Sequence, residues 1–198
     1  MRYVIMANGK GRRWANYGGI PKHLIQVEGE TLLARTSRLL HTFDENAEVI
    51  ITSSNPACVA RGASRHVPEQ NSYELDRYCY ELIEDGICFL YGDVFYTWDA
   101  ICSIVNTYTE GVTFYGNEHS IVAVKVQDSC LMKQGIDDLK DQIRAGKIED
   151  AKGWHLYHYL RGMELEGRAT DETFIFISDI TRDFNYPDDW ETFKRAYL

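Results

Sequence analysis

Arg2-Tyr3-Val4-Ile5-Met6-Ala7-Asn8-Gly9-Lys10-Gly11-Arg12-Arg13-Trp14 stands near the start of the chain and decides how the rest is read. Arg2 to Met6 is a short apolar run that stops at Ala7-Asn8-Gly9, as a buried strand ending in a loop does. From Ala7 to Ile20 there are four glycines, Lys10, Arg12 and Arg13, and no periodicity, so the segment is predicted as a loop. Glycines let backbone N–H groups approach phosphate oxygens closely, and the flanking cations neutralise their charge. A plain tight connection has the same composition, and the residues alone leave both readings open. Two other phosphate motifs are excluded by spacing. A Walker loop needs Ser or Thr where Gly11 follows Lys10, and a dinucleotide fingerprint needs a third glycine where Trp14 stands.

Beyond this loop, strand and helix patterns alternate. Leu32, Leu33, Thr36, Leu39, Leu40 and Phe43 recur at helical spacing after the Glu28-Gly29 turn. Ala47 to Thr52 reads as a strand, Ser72 to Glu84 as a helix, Gly86 to Tyr91 as a strand and Thr97 to Tyr108 as a helix. Val112 to Tyr115 and Ser120 to Val126 add two strands, one of them a candidate for antiparallel pairing. Helices follow over Ser129 to Ala145 and Gly153 to Gly162, then a strand over Phe174 to Ser178 and a closing helix over Asp188 to Tyr197. This alternation predicts a Rossmann-like, three-layer α/β/α fold with a mostly parallel, mixed central sheet. Ligands of such sheets bind outside the carboxyl ends of the strands, which directs attention to the loops after Met6, Tyr91 and Ser178.

With 198 residues, 44% of them hydrophobic, the chain is read as one domain spanning 1–198. A net charge of -9 argues against a protein built to lie along nucleic acid or an anionic membrane. The five cysteines are scattered, with no CxxC pair, and read as reduced thiols. No stretch is apolar and long enough for a signal peptide or membrane span, so the expected compartment is the cytoplasm.

Eight residues beyond Arg13 comes Pro21-Lys22-His23-Leu24, where Lys22 would bring a second point charge to the same anion. Ala7 to Trp14, Pro21 to Leu24 and Val27-Glu28-Gly29-Glu30-Thr31-Leu32-Leu33 together resemble the signature of the nucleotidyltransferase superfamily. That superfamily includes sugar-1-phosphate nucleotidylyltransferases and bacterial phosphocholine cytidylyltransferases. The resemblance implies that the loop Ala7, Asn8, Gly9, Lys10, Gly11, Arg12 and Arg13 wraps a triphosphate, with Arg13 and Lys22 as the catalytic cations. Asn8 departs from the Ala or Gly of many members.

The likeness continues along the chain. Gln70-Asn71-Ser72 is similar to the stretch that reads the base, and Leu90-Tyr91-Gly92-Asp93-Val94 to the strand end whose aspartate binds the metal, with Gly92 beside the nucleotide. Asp183-Phe184-Asn185-Tyr186-Pro187-Asp188-Asp189-Trp190 resembles the second acidic motif, with Asp183 as metal ligand and Asn185 as a candidate assistant. Residues 113–174 carry no motif that aligns. Each residue also has an ordinary structural reading: Asp93 and Ser72 as helix caps, Asp183 as a turn residue. His155 and His158, at i, i+3 on a helix, offer a metal pair with no third ligand nearby. Trp154, Tyr157 and Tyr159 read as core, the alternative being that they face an acceptor, where such rings suit a quaternary ammonium.

The implied reaction moves a nucleoside monophosphate from a nucleoside triphosphate, with CTP or UTP favoured, onto a small phosphorylated acceptor such as a sugar-1-phosphate or phosphocholine. Two polyanions must be brought together, so the expected site supplies Arg13, Lys22 and a Mg²⁺ or Mn²⁺ ion held by Asp93 and Asp183. Three alternatives share the fold. A molybdopterin guanylyltransferase usually has Asp-Lys where Pro21-Lys22 stands, and a nucleotide-sugar glycosyltransferase normally carries an Asp-x-Asp that Gly92-Asp93-Val94 does not supply. A non-catalytic nucleotide sensor need not keep all four charges of Arg13, Lys22, Asp93 and Asp183.

Overall fold

The apolar run at the N-terminus becomes the strand on which the sheet is centred. The computed structural model describes every residue from Met1 to Leu198. The chain runs β1 (Arg2–Met6), the short hairpin β2 (Gln26–Val27) and β3 (Glu30–Thr31), α1 (Leu32–Phe43), β4 (Glu48–Thr52) and β5 (Ala63–His66). Two 3₁₀ turns, Glu74–Tyr78 and Tyr80–Leu82, lead to β6 (Ile87–Tyr91), β7 (Val94–Phe95) and α2 (Trp98–Asn106). Then come β8 (Val112–Gly116), β9 (Ile121–Val126), α3 (Ser129–Arg144), α4 (Gly153–Leu160), β10 (Ile175–Phe176), β11 (Arg182–Asp183) and α5 (Pro187–Tyr197).

Seven strands form the main sheet in the order β10-β8-β9-β6-β1-β4-β5. β1 pairs parallel with both β4 and β6, β4 with β5 and β10 with β8, while β9 runs antiparallel to both of its neighbours. Six strands therefore point their carboxyl ends to one edge, and the β8–β9 hairpin turns at that same edge. Alternate residues of β1 serve opposite faces: Tyr3 and Ile5 pack with α1 and α2, Val4 and Met6 with α3 and α4. A third cluster of Trp14, Ile25, Val27, Leu32, Phe95, Phe184 and Phe193 seats α5 against the first loop. The helices begin where capping chemistry allows. Thr31, Thr97 and Asp128 each accept a hydrogen bond from the backbone N–H three residues on, at 3.1, 3.0 and 2.8 Å. No helix is long and apolar enough to cross a membrane.

One expected element is corrected and five short strands are added, β5 at the edge of the main sheet and β2, β3, β7 and β11 in two small ladders. The helix expected over 72–84 is instead the pair of 3₁₀ turns, broken at Cys79, whose φ is 45°. Asp76 starts the first turn, its carboxylate accepting the N–H groups of Ser72 (2.7 Å) and Tyr73 (2.8 Å) and pairing with Lys140 of α3 at 2.7 Å, and the left-handed backbone of Cys79 ends it. The apolar face that suggested a helix is still buried, at Leu75, Tyr78, Cys79 and Ile83. The edge strand β5 has no sequence signal, because Ala-Ser-Arg-His lies half in solvent and shows no alternation.

Lys125, in the middle of buried β9, is 3% exposed. Its ammonium donates to the carbonyls of Ile104 (3.3 Å), Val105 (3.2 Å) and Thr107 (2.9 Å), capping the carboxyl end of α2. Lys125→Met keeps the stem but strips these carbonyls of their donor. Urea unfolding of this variant is expected to show a loss of about 2 kcal/mol, and an unchanged midpoint would contradict the cap.

Candidate active site

The site starts where β1 and β6 leave the sheet side by side. Gly92 N–H donates to the Met6 carbonyl at 3.0 Å, and a Cβ on Gly92 would lie 2.8 Å from that oxygen. Only glycine allows this approach, which sets Asp93 directly beside the first loop. β7 then pairs antiparallel with β11, placing Asp183 opposite Val94, and Phe184 N–H donates to the Asp93 carbonyl at 3.0 Å. Two carboxylates from remote parts of the sequence are thus laid next to each other by a two-residue ladder. Phe184 turns into the third cluster, leaving Asp183 and Asn185 on the cleft side.

The cleft has a volume of about 560 Å³ and is lined by Gly9 to Arg13, Lys22, Asp93, Asp183 and Asn185 together with Arg77, Ser120, Lys152, Trp154 and Arg168. Seven of its lining side chains are lysine or arginine and four are carboxylates, in a chain whose net charge is -9. The positive charge is therefore concentrated here, where an anion would meet it. Lys22 forms an ion pair with Asp93 Oδ2 in a position where both side chains are nearly buried. Arg13 Nη2 donates to Asn185 Oδ1 at 2.6 Å with its guanidinium over the Tyr186 ring, and Asn185 hydrogen-bonds the Asp183 carboxylate in turn. Ser120 Oγ donates to the other Asp183 oxygen at 2.9 Å.

The first loop itself is anchored by Trp14, buried and donating its indole N–H to the Ile20 carbonyl at 2.9 Å. Gly11 takes a left-handed φ of 57° and its carbonyl accepts from Trp14 and Ala15. From Asn8 to Arg13 the backbone N–H groups donate to no protein acceptor. Such a row of free donors beside cations is what an anion cradle requires. Asn8 serves the loop differently, through its side-chain oxygen, which accepts from the N–H (2.9 Å) and hydroxyl (3.0 Å) of Ser54 and ties the loop to the end of β4.

The two acids respond in opposite ways. Burial would raise the Asp93 pKa, but the charges of Lys22, His23 and Arg77 outweigh it and hold the carboxyl below its usual range. Asp183 is raised, by burial first and then by the negative Asp93, against the hydrogen bond from Ser120. Negative charge at Asp183 is thus under-compensated, and the protein's ion pair with Asp93 engages only Oδ2. Paired carboxylates with this imbalance and hard oxygen donors fit a divalent cation such as Mg²⁺.

No protein-family model matches the chain, and no curated protein matches it in sequence. Solved structures do match its fold. A putative glucose-1-phosphate thymidylyltransferase from Bacillus anthracis superposes with a TM-score of 0.67 at 14% identity, covering 99% of this chain and 94% of that one. The CTP:phosphocholine cytidylyltransferase LicC of Streptococcus pneumoniae gives 0.63 at 11% identity over 100% and 99% of the two chains. The 4-diphosphocytidyl-2C-methyl-D-erythritol synthase of Anaerococcus prevotii gives 0.59 at 12% over 100% and 95%. The chain has the nucleotidyltransferase fold.

Within this nucleotidyltransferase fold the motif residues are only partly brought together. Asn71 lines a second pocket of about 320 Å³ with Ala7 to Gly11 and Ser53 to Asn55. Asn71 and Ser72 also face Lys10 and Arg12 across a third. The Ser72 N–H is already taken by Asp76, so only its side chain remains available. Gln70 lines none of these clefts, and Gly92 is buried with its N–H on the Met6 carbonyl, where it serves packing. His155 and His158 form no metal pair. His155 Nδ1 accepts the Lys152 N–H, and the His158 ring nitrogens face the carbonyls of Leu165 and Ala169. Sequence reasoning misses Ser120, Arg77, Lys152 and Arg168. No motif marks them, since each enters the cleft through the packing of a different element.

His23, 5% exposed between the first loop and Asp93, is pushed down to about 4, chiefly by burial and against the attraction of Asp93. Its folded pKa lies below that of the unfolded chain, near 6.5, so the unfolded state binds the extra proton. Stability should therefore be full above about pH 6.5 and fall by about 3 kcal/mol as the pH drops to about 4. Denaturant titrations at a series of pH values should show a shallower fall for His23→Gln; identical slopes for both proteins would refute the assignment.

Proposed function

We propose that the chain is a nucleotidyltransferase that moves a nucleoside monophosphate from a nucleoside triphosphate onto a small phosphorylated acceptor. The observation that carries this reading is the free N–H row of Asn8 to Arg13, of which Gly9 to Arg13 line one cationic cleft with Lys22, Asp93 and Asp183. The fold it shares with structures of cytidylyl- and thymidylyltransferases supports the same reading. CTP or UTP is the favoured donor and a sugar-1-phosphate or phosphocholine-like compound the favoured acceptor.

In this reading an acceptor phosphate oxygen attacks the α-phosphorus, a new P–O bond forms, and the bond to the β-phosphate breaks to release pyrophosphate. The acceptor phosphomonoester has a second pKa of about 6 and is largely ionised at neutral pH, so no general base is needed. The loop N–H groups, Lys10 and Arg12 bind the triphosphate, and Arg13 and Lys22 oppose charge gathering on the transferred and leaving phosphates. Asp93 and Asp183 would hold a Mg²⁺ or Mn²⁺ ion, which supplies further neutralisation of phosphate charge. Arg77, Lys152 and Arg168, which line the same cleft, supply the cationic surface for the acceptor's phosphate.

Pyrophosphate release over four nucleoside triphosphates against sugar-1-phosphates, phosphocholine and phosphorylated amino acids is expected to give one dominant pair. A flat matrix with retained nucleotide binding would favour a sensor instead. Arg13→Ala, Lys22→Ala, Asp93→Asn and Asp183→Asn should each lower turnover on that pair by about 10²-fold or more. Nucleotide binding should survive better than turnover in the two Asn variants. Full activity in these variants, or a rate unaffected by chelator, would defeat the mechanism.

A further inference from the structure

Outside the cleft, at the carboxyl end of edge strand β5, three side chains of different type converge. The ring nitrogen of His66, the thiol of Cys79 and a carboxylate oxygen of Glu81 lie within 4.8 Å of one another. His66 Nε2 is 2.9 Å from Glu81 Oε1, and that same oxygen accepts the Glu69 N–H at 3.0 Å, which fixes its orientation. Cys79 is 1% exposed and sits between the two 3₁₀ turns at a left-handed φ of 45°.

We propose that His66, Cys79 and Glu81 form a binding site for Zn²⁺, with solvent water as the fourth ligand. Sulfur, imidazole nitrogen and carboxylate oxygen are the donor set of a borderline-soft ion, and a thiolate has no place around Mg²⁺. The site is therefore chemically distinct from the all-oxygen pair Asp93 and Asp183. Bonds of about 2.3 Å to sulfur and about 2.0–2.2 Å to nitrogen and oxygen set ligand atoms about 3.5 Å apart, so side-chain rotation must open the His66–Glu81 pair from 2.9 Å and bring the thiol in from within 4.8 Å. The His66 and Glu81 side chains are 32% and 21% exposed, which gives the ion a path from solvent. On binding, the Cys79 S–H bond breaks, its proton passes to bulk water and the sulfur lone pair forms the bond to zinc. The structural consequence is local: Glu81 grips Glu69, and the ion would fasten to the sheet edge the strap that carries Asn71 into the nucleotide-side pocket.

The test uses the full chain, stripped with chelator and titrated with Co²⁺. A single equivalent is expected to produce a thiolate-to-cobalt charge-transfer band that Zn²⁺ abolishes. Cys79→Ala and His66→Gln should both lose the band, whereas Asp93→Asn should keep it. Zn²⁺ should raise the melting temperature of the wild type and leave that of His66→Gln unchanged; because His66 is part-exposed, this variant is testable even if Cys79→Ala folds poorly. Absence of a band in the wild type, or a band that survives either substitution, would overturn the proposal, and neither result bears on nucleotidyl transfer.

Discussion

The ion pair between Lys22 and Asp93 is the contact around which the cleft is organised. It joins residues 71 positions apart and closes the long first loop over the end of β6. An ion pair so nearly buried gains little net stability over an apolar pair, because both groups give up their hydration. What it does is hold a full negative charge at Asp93, and that charge adds to burial in raising Asp183 beside it. Removing the lysine would leave two adjacent buried carboxyls, which cannot both stay ionised without another cation. The arrangement is thus a set of charges each of which has an exchangeable partner. In the proposed reaction a phosphate would replace Asp93 on Lys22, and a divalent cation would replace Lys22 on Asp93.

Two backbone contacts make that pair possible. The Gly92 N–H on the Met6 carbonyl sets the spacing between β1 and the Asp93 turn, and the β7–β11 ladder carries Asp183 to the same place. The ladder holds because Phe184 and Phe95 are plugged into the cluster shared with Trp14 and Phe193. Trp14 belongs to the first loop and Phe193 to the last helix, so one apolar contact locks both ends of the chain around the cleft. The same cluster explains how a glycine-rich loop can be ordered: its donors stay free while a single buried indole fixes its far side. Arg13, bridged through Asn185 to Asp183, spans the two halves.

The order of strands and helices was legible because apolar runs such as Ile87 to Leu90 and the helical spacing of Leu32 to Phe43 are strong local signals. The pattern misleads at one segment. Leu75, Tyr78, Cys79 and Ile83 have helical spacing and are buried as expected, but the backbone turns left-handed at Cys79 and divides the segment into two 3₁₀ turns. β5 was illegible because an exposed edge strand needs no apolar alternation. Nothing in the run Ser120 to Val126 marks Lys125 as a buried helix cap, because the carbonyls it serves belong to α2.

By itself the sequence determined which residues could carry charge to a phosphate: the glycine loop with Lys10, Arg12 and Arg13, the Pro21-Lys22 turn, and acids at the ends of two apolar runs. These are properties of residue type and short spacing, and they are fixed before the chain folds. Only the tertiary structure decided that Asp93 and Asp183 adjoin, that Asn71 rather than Gln70 faces the loop, and that Ser120, Arg77, Lys152 and Arg168 share the cleft. The physical reason is that each of these depends on strand register and on which side chain a remote apolar cluster turns inward. Neither is encoded within reach of the residue concerned.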